Sequence, residues 1–222
     1  MTNRLLIIPA RGGSKRIKFK NIKIFKGKPI IFYPISEAIK SKLFNEIHVT
    51  TNNLKIKNIV EKIKNNITFL RPEYLSNDNT PLIKVFNYVT EYYKKQKIYF
   101  DEIWFVNPCS PLIKSKDLIK ASFFFRKQKN NSVLSVCKFS PSIDWAFKIK
   151  NNNLIPLDKN KQKKKSQILK DYYYDTGNFG IFSSEVFYKN KKIKFSGYLL
   201  EREKSVDIDT MEDWNFALKL FK

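Results

Sequence analysis

The stretch Leu5-Leu6-Ile7-Ile8-Pro9-Ala10-Arg11-Gly12-Gly13-Ser14-Lys15-Arg16, with Lys20-Asn21 close behind, decides how the chain is read. Four consecutive aliphatic residues read as a buried strand, and the run breaks at a proline and two adjacent glycines, as a strand does when it empties into a loop. Glycine carries no side chain, so the backbone N–H groups at Gly12 and Gly13 can approach an anionic oxygen. Arg11, Lys15, Arg16 and Lys20 bring positive charge to the same place. The loop therefore expects a polyphosphate. Its spacing is not that of a Walker motif, which places four residues before Gly-Lys-Ser/Thr, nor that of the dinucleotide fingerprint, which needs three spaced glycines. An ordinary tight turn is the competing reading, and the cations Arg11, Lys15, Arg16 and Lys20 so close to the glycine pair weigh against it.

Downstream, helical and strand periodicities alternate. Apolar residues at Ile31, Tyr33, Ile35, Ala38, Ile39 and Leu43 predict a helix over 30–43, with Pro29 in its first turn. Strands are predicted at 46–50, 68–70, 102–107, 132–137, 178–182 and 205–209, and helices at 54–64, 81–95, 117–127 and 211–221. Segment 71–78 reads as a loop on its Pro and Asx content. This order implies an α/β fold whose sheet is mostly parallel, with binding loops at the carboxyl ends of the strands. The regular alternation lapses over 150–171, where Lys159-Asn160-Lys161-Gln162-Lys163-Lys164-Lys165 reads as a solvated excursion from a single domain spanning 1–222.

The chain has 222 residues, 42% of them hydrophobic, and a formal charge of +23, which raises nucleic acid as a partner. That charge comes from 37 Lys and only 6 Arg scattered along the chain, whereas a nucleic-acid binder clusters its cations on one motif. The expectation is no nucleic acid and no membrane, since no segment approaches the roughly 20 apolar residues of a transmembrane span. Cys109 and Cys137 sit in apolar contexts without metal-ligand spacing, and free buried thiols suit a reducing cytoplasm. The run 5–9 is too short for a secretory leader.

Asp207 and Asp209 are the acidic pair with chemical logic. Residues i and i+2 of a strand face the same side, so two carboxylates there can share a hard cation such as Mg²⁺. The alternative is that Asp209 or Thr210 caps the following helix. His48, the only histidine, lies in a predicted strand and reads as structural. Tyr172-Tyr173-Tyr174 reads as packing or an interface.

The pattern Ala10-Arg11-Gly12-Gly13-Ser14-Lys15 with Lys20-Asn21 and Gly27-Lys28-Pro29 resembles the signature of the CMP-sugar-acid synthetases, the cytidylyltransferases that activate acidic sugars. The likeness continues at Arg71-Pro72 through Leu75 and Asp78, at Pro108 to Leu112, at Asp175 to Phe179, and at Asp207-Ile208-Asp209-Thr210 through Trp214. It implies a Rossmann-like, three-layer nucleotidyltransferase fold with a protruding insertion, a CTP substrate, Mg²⁺ on Asp207 and Asp209, and a homodimer in which 150–171 reaches the partner. By the same resemblance, Ala10, Arg11, Gly12, Gly13, Ser14, Lys15, Lys20, Asn21, Arg71, Asp78 and Thr80 would bind nucleotide, with Asn21 and Arg71 near the cytosine and ribose. Arg11, Lys15, Lys20 and Asp209 would be catalytic, and Asn107, Gln167, Asp175, Gly177, Asn178 and Phe179 would meet the sugar. Asn52 departs from the family, which is commonly acidic there, and Asn107 from its sialic-acid members, which usually carry Gln. Asp175-Thr176-Gly177-Asn178-Phe179 looks like the pseudaminic acid branch, whereas Pro108-Cys109-Ser110-Pro111-Leu112 looks like the sialic and legionaminic branch. A 3-deoxy-octulosonate cytidylyltransferase, a sugar-1-phosphate nucleotidyltransferase and a polyanion-binding protein stay open beside these.

Overall fold

The aliphatic run that opens the chain is wholly removed from solvent: Leu5, Leu6, Ile7 and Ile8 are each 0% exposed. A strand with apolar side chains on both faces needs a layer of structure on each, and the computed structural model, which describes residues 2–63 and 69–221, supplies both. In chain order the elements are β1 (Arg4–Pro9), β2 (Ile24–Phe25), β3 (Lys28–Pro29), α1 (Phe32–Ser41), β4 (Glu46–Thr50), α2 (Leu54–Glu61), α3 (Leu82–Lys95), β5 (Glu102–Val106) and α4 (Ser115–Arg126). They continue with β6 (Ser132–Lys138), β7 (Phe147–Lys150), β8 (Asn153–Pro156), α5 (Lys159–Gln162), β9 (Tyr173–Ser183), α6 (Glu185–Tyr188), β10 (Phe195–Leu199) and α7 (Met211–Leu220).

The central sheet runs β10-β6-β9-β5-β1-β4. β1 is parallel to β4 and β5, and β10 is parallel to β6, while β9 lies antiparallel between β5 and β6. Five strands thus share one direction, and their carboxyl ends gather the loops that follow β1, β4 and β5 at one edge. Leu6 and Ile8 pack with Ile35, Ile56 and Leu118 of α1, α2 and α4 on one face. Leu5 and Ile7 pack with Val85, Phe86 and Val89 of α3 on the other. A third cluster, with Ile17, Phe25, Ile30, Cys109, Ile208 and Trp214, seats α7 against the loop after β1. The expected α/β nucleotidyltransferase architecture is therefore present. Among the described residues, no helix is long and apolar enough to cross a membrane.

Several expectations need correction. The segment 205–209 forms no strand; Ile208 is drawn out of solvent by the third cluster rather than by sheet pairing. The edge position beside β6 belongs instead to β10, a strand the sequence pattern hides because its residues are only half-buried or exposed. The strand expected at 178–182 is the second half of the longer β9. The helix expected at 54–64 ends at Glu61, and Lys64 lies outside the described residues. Thr68 of the strand expected at 68–70 also lies outside them, and Phe69 and Leu70 form no strand. The excursion expected at 150–171 carries regular structure, namely the β7–β8 hairpin from Phe147 and the short α5.

At the amino-terminal end of the sheet, Arg4 Nε donates to Glu102 Oε2 at 2.7 Å and Trp104 Nε1 donates to the same oxygen at 2.9 Å. All three residues are buried. Removing one partner of a buried ion pair strands the other charge, so Glu102→Ala should lower stability by about 3–5 kcal/mol in urea unfolding. Replacing both charges, Arg4→Met with Glu102→Leu, should cost far less, because no unpaired charge is left behind.

Candidate active site

The loop after β1 is tied down by amides rather than by charges. Gly12 N–H donates to Asn52 Oδ1 at 3.0 Å, and Asn52 Nδ2 donates to Glu73 Oε2 at 2.9 Å. An Asn can do both at once, whereas a carboxylate at this position could accept from Gly12 but would face Glu73 with like charge. That is the physical content of the departure from the family pattern at Asn52. A side chain on Gly12 would have its Cβ 2.8 Å from Asn53 Nδ2, so only glycine lets the loop pass. Asn53 in turn caps α2, accepting from Lys55 and Ile56 N–H. Further on, Asn21 Nδ2 donates to the Arg11 carbonyl at 2.9 Å, and the Cys109 thiol donates to Asn21 Oδ1 at 3.3 Å. Burial pushes that thiol up to about 12, so Cys109 is a packing group and not a nucleophile.

With the backbone so fixed, two carboxylates stand among the four cations. Asp78 bridges Arg11 Nη1 and Lys15 Nζ, both at 2.6 Å. Asp209 bridges Arg16 Nη2 at 2.7 Å and Lys20 Nζ at 2.9 Å. The Lys15 and Arg11 cations hold the Asp78 carboxyl below the usual carboxylate range. For Asp209, partial burial pushes upward but the Lys20 and Arg16 cations outweigh it, and the net direction is down. Asp207 keeps solvent on one side while protein crowds the other; that crowding and the neighbouring Asp209 charge push its carboxyl up. Which residue caps α7 is decided locally. Thr210 is the cap of α7, its Oγ1 accepting from Asp213 N–H, with Asp213 answering to the Thr210 N–H, so the Asp209 carboxylate is left to the cations. Among the described residues no three His, Cys, Asp or Glu side chains cluster as a metal site. Without a strand at 205–209, nothing forces the two carboxylates onto one face. Asp207 lines neither cavity, but its carboxyl feels the Asp209 charge. A hard divalent cation, which commonly takes one or two carboxylates and completes its shell with water and phosphate oxygens, would sit beside both by sharing Asp209 with Arg16 and Lys20.

Two cavities open at this edge. The larger, about 530 Å³, is lined by Arg11, Ser14, Lys15, Arg16, Lys20, Asn21, Asp78, Asn107, Gly177 and Asp209, among others. The smaller, about 240 Å³, is lined by Arg71, Leu75, Asn77, Thr80, Leu82 and Val85, and shares Pro9, Arg11, Asp78 and Leu82 with the larger. Arg71 is 5% exposed, and its Nε donates to Ser76 Oγ at 3.1 Å. Its Nη2 is buried with no hydrogen-bond partner among the described residues. Burial, with Arg11 nearby, lowers the guanidinium to about 10. An orphaned donor on a buried cation calls for an acceptor from outside the chain. The structure therefore separates Asn21 and Arg71, which the sequence reading placed together, into different cavities.

Cations at a strand end, facing carboxylates and a side cavity with an unsatisfied guanidinium make this edge suited to an anionic ligand. A family model described as Cytidylyltransferase matches residues 5–220. The chain belongs to the cytidylyltransferase family. It is 32% identical over 223 residues to a pseudaminic acid cytidylyltransferase of Campylobacter jejuni, covering 98% of this chain and 96% of the relative. It is 27% identical to a CMP-N,N'-diacetyllegionaminic acid synthase of Legionella pneumophila, again over 98% and 96%. In fold it is similar to a CMP:2-keto-3-deoxy-manno-octonic acid synthetase complexed with CTP, at TM-score 0.73 and 14% identity, covering 99% and 98% of the two chains.

Not every residue assigned from the cytidylyltransferase resemblance reaches these cavities. Asn107 and Gly177 line the larger one, and Gly177, at φ +64°, leaves space that a Cβ would fill 3.7 Å from Asp207 Oδ2. Phe179 does not reach it: its ring is wholly buried in the core, on the β9 position that pairs with Val106. Asn178 is buried as well, donating to the Thr176 and Lys204 carbonyls. Asp175 accepts from Gly177 N–H, and Gln167 is exposed on the turn Ser166–Ile168, lining neither cavity. Sequence reasoning passed over Leu82, whose signal was an exposed apolar residue in the first turn of α3, and gave Asn52 no role. Asn52→Asp should set a carboxylate against Glu73 and loosen the loop by about 0.5–1 kcal/mol. Thermal unfolding should show the loss, and adding Glu73→Gln should restore it.

Proposed function

We propose that this cytidylyltransferase transfers CMP from CTP to the anomeric hydroxyl of a nonulosonic acid, with pseudaminic acid as the first choice, and releases pyrophosphate. The observation that carries the reading is the pair of cavities meeting at Arg11, one with buried Arg71 and its unsatisfied nitrogen, the other with four cations. The smaller suits a cytosine, whose carbonyl oxygen can accept from Arg71, and the larger suits the triphosphate. The choice of sugar is supported by the Campylobacter relative and by the segment Asp175 to Phe179; legionaminate, neuraminate and 3-deoxy-octulosonate are the alternatives.

In the reaction the anomeric oxygen bonds to the α-phosphorus, the bond from that phosphorus to the bridging oxygen breaks, pyrophosphate leaves and the hydroxyl proton passes to solvent. An anionic sugar must approach an anionic phosphate, so the demand is for charge compensation and positioning. Arg11, Lys15 and Lys20 meet it by holding phosphate oxygens and stabilising charge that grows on the leaving group. Asp207 and Asp209 would hold Mg²⁺, which when bound supplies charge neutralisation at the α-phosphate. Asn107 and Gly177 line the wall of the larger cavity that is left for the sugar. The two free, buried cysteines support a cytoplasmic setting.

Pyrophosphate release assayed with CTP, Mg²⁺ and pseudaminate, legionaminate, neuraminate or 3-deoxy-octulosonate tests the reading. Release with pseudaminate is expected, and silence with all four would overturn it. Asp209→Asn should lower kcat by about 100-fold with circular dichroism and melting temperature preserved, since Thr210 carries the cap.

We also propose a homodimer formed through the β7–β8 hairpin. It exposes Phe147, Ile149 and Leu154, which share one face of the ribbon because Ile149 pairs with Leu154 and Phe147 lies two residues from Ile149, and exposed apolar side chains gathered on one face mark an interaction surface. Sedimentation should give a dimer, and Ile149→Lys should shift it to monomer; a wild-type monomer with full activity rejects the interface.

A further inference from the structure

The cations that would grip a triphosphate are already gripped. Asp78 holds Arg11 and Lys15 with one carboxylate oxygen each, both at 2.6 Å, which is what a phosphate group would do. Arg11 and Asp78 both line both cavities, so their bridge stands at the boundary between the two. A ligand with its base in the smaller cavity and its phosphates in the larger has to pass that boundary. The turn that carries Asp78 is otherwise fastened mostly to its own neighbourhood: Asn77 Nδ2 and Thr80 Oγ1 donate to the Tyr74 carbonyl, and Asn79 N–H and Thr80 Oγ1 donate to Asn77 Oδ1. Asp78 itself is exposed, so it can leave its partners without breaking the core.

Resting on the reading of this edge as a nucleotide site, we propose that Asp78 is an internal competitor for the phosphate subsite. In the free protein its carboxylate neutralises Arg11 and Lys15 and keeps them pointed into the site. A triphosphate, carrying several negative charges, displaces it and joins the two cavities. After transfer, the returning carboxylate competes with pyrophosphate for the same two cations and helps it leave. Asp78 is thus a positioning residue that sets the affinity for the polyphosphate at both ends of the cycle, and removing its charge should tighten binding while slowing release.

Calorimetric titration of the full chain and of Asp78→Asn with inorganic pyrophosphate and with CTP tests this, and ATP titrated into the full chain beside CTP tests the nucleotide reading on which it rests. The variant should bind both about tenfold more tightly, the equivalent of two exposed ion pairs no longer standing in the way. In steady state its KM for CTP and its kcat should fall together, and the gain should shrink as salt screens the pairs. Unchanged or weaker pyrophosphate binding by Asp78→Asn, with the melting temperature of the wild type, would overturn the proposal; Asp78→Ala should give the same result as Asn and guards against a defect peculiar to the amide. A wild type that prefers no nucleotide over another, alongside a variant that still grips pyrophosphate more tightly, would sink the cytidylyl reading and leave the competitor standing.

Discussion

Arg11, Lys15, Arg16 and Lys20 repel one another on one short loop, and two carboxylates from distant parts of the chain stand between them and offset that repulsion. Asp78 arrives from the loop before α3 and Asp209 from the approach to α7, and each bridges two of the four. Everything else at this edge of the sheet serves that arrangement. The amide bonds of Asn21 and Asn52 fix the backbone so that the charges need not. Phe19, left-handed at φ 52°, turns the chain just ahead of Lys20 so that its ammonium meets Asp209. The third apolar cluster presses α7 and Ile208 against the loop, which sets the distance across which these pairs form. Charge brought the ligand into the reading, but neutral contacts decide where the charge sits.

What the sequence disclosed follows from what leaves a local trace. Four aliphatic residues before Pro9 can only be a strand covered on both faces, and that one reading entails helices on both sides of a sheet. Cations clustered beside two glycines announce an anion wherever they occur. The pattern at Ala10 to Asn21 and at Asp207 to Trp214 was specific enough to point to the family directly.

What it concealed is equally physical. β10 is an edge strand with no buried residue, its side chains alternating between exposed and half-buried, so no apolar face marks it in the sequence. The alternation of Val206 and Ile208 looked like a strand, yet it arises from packing against a helix, and a spacing of two does not say which partner buries the apolar side chains. Of the motif Asp175 to Phe179 only Gly177 lines a cavity, and no spacing rule reveals that the Phe179 ring turns into the core. Asn52 could be seen as a departure, but its reason lies in Glu73, which only the folded chain brings beside it.

The bridge from Lys20 to Asp209 closes a loop of 189 residues, and that from Arg16 to Asp209 one of 193. Contacts between such distant residues come late and slowly in folding, because the entropy of bringing the ends together is spent before the contact rewards it. Arg16 and Lys20 thus meet a carboxylate that lies nearly the whole described chain away from them. No nascent or truncated chain lacking α7 can present all four cations in their native arrangement. The charge arrangement at this edge is therefore a product of the tertiary fold as a whole and not of the loop that carries the cations.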